Sequence, residues 1–316
     1  MIETFKDTTS SAVASRLTLL RTQSGTSGRG VVLTLIVVVP GMIDVENAIQ
    51  ISSAVSMEHP CRVIVVVDPD GETQDVTARV NAQIRVGEEV GASEVIVMEP
   101  KGPAAKDLDT LVTPLLLADT PVVVYWPSHP PANPSEHPLG SIAVRRITDS
   151  RNCRYPLDIL KTLARNYTPG DSDVAWAGVT LWRALLVSMF EENLPKKAAT
   201  IKVTGSTDHP STHVLGAWMR LLLDIPVEVE NDPSTTKVSG VYVTNEDGSE
   251  FSLTRREGSA MAHLHRPGFP TTFVHLDTRS TQNCLREELR RLDPDVLYGE
   301  VITKGLQEAD EVRDND

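Results

Sequence analysis

Short, continuously apolar runs recur along the N-terminal half of the chain, and they limit the possible folds more than any other feature. Val31–Val39 and Arg62–Val67 are short for helices, and they lack the alternation of strands that face water on one side. Glu94–Met98 and Pro121–Trp126 have the same character. Helical periodicity separates several of these runs. The pattern predicts an α/β fold in which a mainly parallel sheet has helices on both faces.

One segment has a different period. Between Val76 and Val86 apolar and polar residues alternate strictly, and the polar positions include Asn81, Gln83 and Arg85. A strand of this kind has one face on a core and the other face polar. We therefore expect an antiparallel strand at the edge of the sheet.

The second half of the chain has a different composition of elements. A proline-rich stretch over residues 127–138 is expected to run over the surface, and Tyr167–Asp171 is the expected boundary. After it we predict a long helix over 173–193, a helix that begins at Pro210, and several short strands. The expected domains are an α/β domain at 1–168, a smaller α+β domain at 169–306 and an acidic disordered tail at 307–316.

Composition and charge narrow the class of protein. The net charge of -13 argues against nucleic acid and anionic membranes as partners. The start of the chain carries Glu3 and Asp7 and has no apolar stretch of a secretory signal, and no apolar run approaches the length of a membrane span. Cys61, Cys153 and Cys284 form no CxxC pair, which fits a reducing compartment. We expect a cytoplasmic protein.

The loops that follow the apolar strands do not resemble cofactor sites. They contain Pro40, Pro100, Pro127 and Pro130, and none is a GxGxxG segment or a P-loop. Each proline removes an N–H group that a phosphate would need. The sequence therefore predicts no bound cofactor.

Candidate catalytic and metal-binding residues are also scattered. His209 and His213 are separated by the expected helix start at Pro210, and the strand histidines His263 and His265 lack acidic neighbours at ligand spacing. No GxSxG segment occurs. Adjacent glutamates point apart on either periodicity and are expected at the solvated surface, at residues 88–89, 191–192 and 287–288. The sequence predicts no catalytic residue and no metal site.

One small-anion site remains possible in the second half. A strand is followed there by hydroxyl side chains and free N–H groups at a helix start, namely Gly205, Ser206, Thr207, Ser211 and Thr212. Ordinary helix capping explains the same residues. The alternative function that this site would support is a sugar-phosphate-binding protein or enzyme.

Several segments, in collinear order, together resemble one family. They are Glu58–Val63, Ala82–Gly87, Gly91–Val95, Pro114–Leu117, Arg145–Asp149, Pro169–Asp173, Trp182–Arg183, Gly205–Ser206, Pro210–Ser211 and Glu288–Pro294. The chain resembles the glucose-6-phosphate dehydrogenase assembly proteins of the OpcA family, in its actinobacterial form. The resemblance implies a non-catalytic partner that supports assembly and activity of that dehydrogenase, which reduces NADP at the entry to the pentose phosphate pathway.

A protein of this kind acts through a surface and not through a nucleophile. The candidate partner contacts are charged, polar or aromatic side chains in and beside these segments: Glu58, His59, Arg62, Asn81, Gln83, Arg85, Tyr125, Trp126, Arg145, Arg146 and Asp149. Structural explanations compete with partner contact. Tyr125 and Trp126 would equally suit core packing, and Arg145, Arg146 and Asp149 would equally suit an internal salt bridge.

Overall fold

The computed structural model describes residues 1–24, 30–68, 77–86, 94–192 and 198–306. The chain divides into two compact units. Unit 1 contains Met1–Asp149 and Thr281–Pro294, and unit 2 contains Ser150–Ser280 and Asp295–Asp316. The division at residues 168 and 169 stays a prediction, and the expected acidic tail at 307–316 lies outside the described residues.

The strands in chain order are β1 (Ile2–Phe5), β2 (Leu33–Val39), β3 (Cys61–Val67), β4 (Arg79–Arg85), β5 (Val95–Lys101), β6 (Val122–Trp126), β7 (Arg145–Thr148), β8 (Asp171–Asp173), β9 (Ala198–Gly205), β10 (Val227–Asn231), β11 (Val238–Asn245), β12 (Glu250–Arg255), β13 (Met261–His265) and β14 (Thr272–His275).

The helices are α1 (Ser10–Ser24), α2 (Val45–Ser56), α3 (Leu108–Val112), α4 (Pro138–Ser141), α5 (Pro156–Arg165), α6 (Val174–Gly178), α7 (Thr180–Glu192), α8 (Pro210–Leu223), α9 (Thr281–Arg290) and α10 (Val296–Glu300). A π-helix, Val301–Gly305, continues directly from α10. None of the described helices combines the length and the apolar character that a membrane span requires.

Seven strands of unit 1 lie side by side in the order β1-β4-β5-β3-β2-β6-β7. The pairs β5-β3, β3-β2, β2-β6 and β6-β7 are parallel, and β4 runs antiparallel to β5. Every residue of β2 and β3 is buried, as continuous β-branched runs require. This confirms the predicted mainly parallel sheet.

Helices cover both faces of this sheet. α1 and α3 pack on one face, where Leu17 and Leu108 share a core cluster with Ile36 and Ile64. α2 packs against β2 and β3 and against α9, and it covers the other face. The alternating segment forms β4 with Val80 and Ala82 buried. The unpredicted strand β1 pairs antiparallel with the outer side of β4.

Unit 2 contains a second sheet in the order β10-β9-β11-β12-β13-β14. Its pairs are antiparallel except β10-β9, and α6, α7 and α8 contribute to the core beside it. This agrees with the predicted α+β character. The sequence did not reveal β14, which is short and mostly exposed.

The single long helix expected over 173–193 is wrong, because α6 ends at Gly178 and α7 begins at Thr180. Side chains from distant segments bind the carbonyl oxygens at the break. Ser211 donates through Oγ to the oxygen of Ala175 at 3.1 Å, and Arg279 donates to the oxygen of Ala177 at 2.7 Å. The polar groups of the interrupted helix are thereby satisfied.

Candidate functional site

The carboxyl ends of the parallel strands in unit 1 border a pocket of about 450 Å³. It lies between β2 and β6, where the sheet order reverses, and ligands of open α/β sheets bind at such points. Prolines line it, namely Pro40, Pro130 and Pro131. Because these three residues have no N–H group, they offer no backbone donor to a phosphate.

Ser128, His137 and Asp68 also line this pocket, which raises the question of a catalytic triad. The Nε2 atom of His137 lies 3.4 Å from Oδ2 of Asp68, and its Nδ1 atom accepts the N–H of Leu139 at 3.2 Å. Both ring nitrogens of His137 are therefore engaged with groups other than Ser128. A histidine in this state caps α4 and is not positioned to activate a serine.

The polar face of β4 brings three predicted residues together. Asn81 donates to Glu99 at 2.8 Å and accepts the N–H of Asp7 at 3.3 Å. Gln83 accepts a hydrogen bond from Arg85 at 3.0 Å. All three side chains are half-buried, so this face is polar, internally hydrogen-bonded and still accessible.

Arg85 is fixed further by α2. Its two terminal nitrogens donate to the two carboxylate oxygens of Glu46 at 2.9 and 2.7 Å, and this hydrogen bond holds the pKa of Glu46 below its ordinary value. A cleft beside this face is lined by Phe5 and Met42 together with Asn81 and Gln83. The adjacent Ile43 is 91% exposed.

The predicted surface around Glu58, His59 and Arg62 is only partly at the surface. Glu58 is exposed and forms an ion pair with Arg286 at 3.2 Å. His59 is half-buried at the end of α2. Arg62 is buried, where it contacts Glu94 and donates to the carbonyl oxygen of Leu115, so it does not contribute to a contact surface.

Tyr125 and Trp126 are buried, which corrects their interpretation as partner contacts. Each is 1% exposed, and Trp126 belongs to the core cluster on the α1 and α3 face of the sheet. The ring of Trp126 meets the edge of His137 at 5.4 Å between centroids. The core-packing alternative explains both residues.

Arg145, Arg146 and Asp149 are likewise buried at β7 and just after it. Arg145 pairs with Glu288 at 2.6 Å, and Arg146 donates to the carbonyl oxygen of Ala143 at 3.0 Å. Glu288 is 4% exposed, so the expectation that it lies at the solvated surface is wrong. The burial of all three residues favours the internal role over partner contact.

The predicted anion site at Gly205–Thr212 uses its own donors internally. The N–H groups of Ser206 and Thr207 bind Lys237 and Asn231, and those of Ser211 and Thr212 bind Nδ1 and the carbonyl oxygen of His209. A Cβ on Gly205 would lie 2.4 Å from the oxygen of Lys237, so glycine permits close approach of two strands there. Strand packing and helix capping account for all five residues.

The histidines do not converge on a metal site. Within the described residues, no group of three or more histidine, cysteine or acidic side chains could hold a metal ion. His263 packs against Phe273 at 4.8 Å, and His265 contacts Thr271 at 3.3 Å. The glutamate pair at 88–89 and the side chains at 191–192 lie outside the described residues.

Sequence reasoning missed a cleft in unit 2. Cationic side chains from separate segments line it around His209, together with Ser211: Arg151, Lys237, Arg255 and Arg279. Arg151 lies in a 3-10 helix, Lys237 directly precedes β11, Arg255 is the last residue of β12, and Arg279 lies in a loop. No local motif connects them, so only the fold reveals their proximity.

Both halves of the chain match models of known protein families. Residues 52–165 match the model described as the glucose-6-phosphate dehydrogenase subunit N-terminal domain, and residues 169–302 match that of its C-terminal domain. The chain belongs to the OpcA family of glucose-6-phosphate dehydrogenase subunits. This match confirms the resemblance to the OpcA family that the collinear sequence segments indicate.

A relative of this OpcA-family chain is an OxPP cycle protein OpcA from Nostoc punctiforme. It is 24% identical over 160 residues, which are 48% of this chain and 34% of the relative. The matched region thus spans about a third of the length of that protein.

Solved structures resemble the OpcA-family chain more distantly. A myo-inositol dehydrogenase from Lactobacillus casei is 11% identical with a TM-score of 0.39, over 90% of this chain and 95% of that one. An inositol dehydrogenase homologue from Azotobacter vinelandii is 9% identical with a TM-score of 0.45, over 91% and 98%. Similarity at this level carries no argument about cofactor or reaction.

Proposed function

We propose that this chain is a non-catalytic assembly subunit of glucose-6-phosphate dehydrogenase that activates the enzyme allosterically. The observation that supports the proposal is the collinear match of both halves to the family of subunits described for that dehydrogenase. Through the enzyme it binds, the chain would support NADPH production in the oxidative pentose phosphate pathway.

The described side chains suit this role better than a catalytic one. His137 uses both ring nitrogens to hold a helix start and an aspartate, and the hydroxyl of Ser211 binds a backbone oxygen. These groups stabilise the fold. A subunit that acts on a partner needs instead a surface that is complementary to one conformation of that partner.

We place the docking surface at the outer end of the unit 1 sheet and name it the β4 surface: Met42, Ile43, Asn81 and Gln83. It combines an open cleft of about 460 Å³, apolar side chains and amides already held in place by hydrogen bonds. Interfaces often place apolar anchors beside ordered polar groups, and ordered amides lose little entropy on docking. Glu58 remains a second candidate contact, because its carboxylate is exposed.

Activation then follows from unequal affinity. If the β4 surface binds the active form of the dehydrogenase more tightly than the inactive form, the active population rises in proportion to that ratio. Allosteric couplings of this type are typically about 1–3 kcal/mol, which corresponds to roughly 5–150-fold in affinity.

The first experiment mixes the full chain with the dehydrogenase from the same organism and measures NADPH formation and the mass of the mixture. We expect a larger complex and a rate at least about fivefold higher at subsaturating substrate. An unchanged rate together with an unchanged mass would rule the proposal out.

The second experiment maps the surface with the substitution Ile43→Asp. The side chain of Ile43 is 91% exposed, so the charge disturbs docking while the fold stays intact. We expect at least about tenfold weaker binding to the dehydrogenase, since a charge would be buried in an apolar contact.

The matched control is Leu19→Asp. Leu19 is also an exposed aliphatic residue, at 54%, and it lies on α1, which packs on the opposite face of the same sheet. The Leu19→Asp variant should bind the dehydrogenase as tightly as the unsubstituted chain does. If Ile43→Asp binds the dehydrogenase as tightly as Leu19→Asp does, the interface lies elsewhere, while the assembly role itself stays intact.

A further inference from the structure

The cationic cleft of unit 2, defined above by Arg151, His209, Lys237, Arg255 and Arg279, is unusual in an acidic chain. The protein has a net charge of -13, yet Asp277 is the acidic residue among the residues that line this cleft. Like charges held together repel one another, so an arrangement of this kind becomes favourable when an anion occupies it.

Arg255 provides the most deeply buried charge. It is 8% exposed, donates to the carbonyl oxygen of Leu276 at 3.0 Å and lies 5.4 Å from the ring centroid of Trp182. Burial lowers its pKa, while Glu257 and Asp277 act in the opposite direction. Within the described residues neither Arg255 nor Lys237 forms an ion pair shorter than 4 Å, and the carboxylates of Glu257 and Asp277 act on Arg255 only through longer-range attraction.

His209 lies among these cations. Its Nδ1 atom accepts the N–H of Ser211 at 3.2 Å at the start of α8, so the neutral ring carries its proton on Nε2 as a donor. The cleft also contains the backbone start of a fourteen-residue helix, whose dipole favours an anion at this end.

The charges around His209 set its protonation. Its pKa falls to about 4, mainly because the ring is desolvated and further because Arg151, Lys237 and His213 repel the imidazolium, with Glu257 opposing them. The lowered pKa agrees with a site whose local potential is positive.

We propose that this cleft binds a phosphate group, either as inorganic phosphate or as the phosphate of a small monoester. Guanidinium groups match phosphate oxygens in a planar fork, a lysine adds a point charge, and a dianion gains more than a carboxylate from several cations. The cleft is open to solvent on one side, so a phosphate can enter it while a substituent extends outward. Ser211, Thr278 and Nε2 of His209 are neutral polar groups at its wall.

This site differs from the Gly205–Thr212 loop predicted from the sequence. The N–H groups of that loop form hydrogen bonds with other groups of the protein. The cleft, in contrast, is lined by cationic side chains from four segments. The proposal does not depend on the dehydrogenase, because it concerns the isolated chain.

The test is isothermal calorimetry of the full chain with inorganic phosphate and, separately, with glycerol 3-phosphate, at constant ionic strength set with chloride. Saturable binding of either ligand supports the proposal, and the tighter of the two identifies the source. Glycerol serves as the control without phosphate and should give no heat of binding. No saturable binding of either phosphate would overturn the proposal.

Lys237→Gln is the diagnostic variant. The backbone of Lys237 pairs with Ser206, but its ammonium group makes no side-chain hydrogen bond in the described residues, so the fold should survive its loss. We expect about tenfold weaker phosphate binding, in the range of a lost charged hydrogen bond. The matched control Lys202→Gln removes an ammonium that pairs with Glu230 at 2.9 Å on the β9-β10 strands, and it should bind as before. Equal affinity of the Lys237→Gln variant and the unsubstituted chain would contradict the assignment.

Nuclear magnetic resonance of His209 gives an independent readout. A bound phosphate anion stabilises the imidazolium, so the pKa of His209 should rise from about 4 when phosphate saturates the chain. A ring pKa that stays unchanged under saturating phosphate would show that phosphate binds elsewhere and would overturn the proposal.

Discussion

At the scale of single residues, most of the arginines that were candidate partner contacts are buried and stabilise the interior of the protein. Arg145 and Glu288 meet at 2.6 Å with both side chains almost fully buried, and Arg145 also donates to the carbonyl oxygen of Asp293 at 3.0 Å. A buried ion pair adds little compared with apolar packing, because both charges lose their hydration. Removing one partner is costly, since the other charge is left without compensation.

We therefore expect Arg145→Met to lower the free energy of unfolding of the chain by about 3–5 kcal/mol. The double variant Arg145→Met with Glu288→Leu should recover part of this loss, since no buried charge remains. Urea denaturation followed by circular dichroism measures both. A single variant as stable as the unsubstituted chain would show that the pair is not buried in solution.

His209 makes the stability of the chain depend on pH. Its pKa is near 6.5 when unfolded and about 4 in the folded chain, so between these values the unfolded state binds the extra proton. Stability is lost as pH falls through this interval. From pH 7 to pH 4.5 the contribution of this group should fall by about 2 kcal/mol. His209→Asn keeps a capping side chain but cannot titrate, and in chloride buffers it should lose correspondingly less; an equal loss would contradict the prediction.

At the scale of elements, apolar periodicity was a reliable guide wherever burial alone determines the structure. The runs that form β2 and β3 are buried on both faces of the sheet, so they consist almost entirely of apolar residues. β7 was missed because it begins with two arginines whose burial depends on partners such as Glu288, distant in sequence. The break between α6 and α7 was missed for the same reason, since Ser211 and Arg279 provide the hydrogen bonds there.

Two glycines of unit 2 should respond in opposite ways to alanine. A Cβ on Gly305, in the π-helix, would lie 2.5 Å from the carbonyl oxygen of Ala217 in α8, so Gly305→Ala should destabilise the chain by about 1–3 kcal/mol. A Cβ on Gly216, within α8, would meet Val229 at an ordinary 3.4 Å, and the higher helix propensity of alanine should make Gly216→Ala neutral or slightly stabilising.

Thermal denaturation of the two variants beside the unsubstituted chain measures the difference. A similar loss of stability in both variants would mean that the packing around α8, and not the close approach of the π-helix, determines which side chains these two positions tolerate.

At the scale of the whole molecule, unit 1 depends on a segment that follows almost all of unit 2. α9 packs against α2 and provides Glu288, and its Arg286 donates to the carbonyl oxygen of Ala54 at 2.9 Å. The cationic cleft also depends on distant segments, since its members extend from Arg151 to Arg279. Patterns of apolar residues indicate contacts only within a few helical turns or neighbouring strands. Neither the packing of α9 on α2 nor the cationic cleft could therefore be predicted from the sequence.

A fragment ending at residue 168 should therefore be incomplete. Without α9, the amide hydrogens of α2 should exchange at least about tenfold faster than in the full chain, because apolar surface on α2 becomes exposed. A fragment in which residues 281–294 follow residue 168 through a flexible linker is the matched control, and it should restore protection. Equal exchange in the two fragments would show that α9 is dispensable for unit 1.

The return of α9 to unit 1 also sets an order of events during synthesis. Protein chains elongate at about 5–20 residues per second, so Arg145 waits on the order of 10 s before Glu288 is made. During that time the cationic end of β7 is without its carboxylate, and the strands of unit 2 emerge in between. The N-terminal unit of this chain is thus the first to be translated and among the last to be completed.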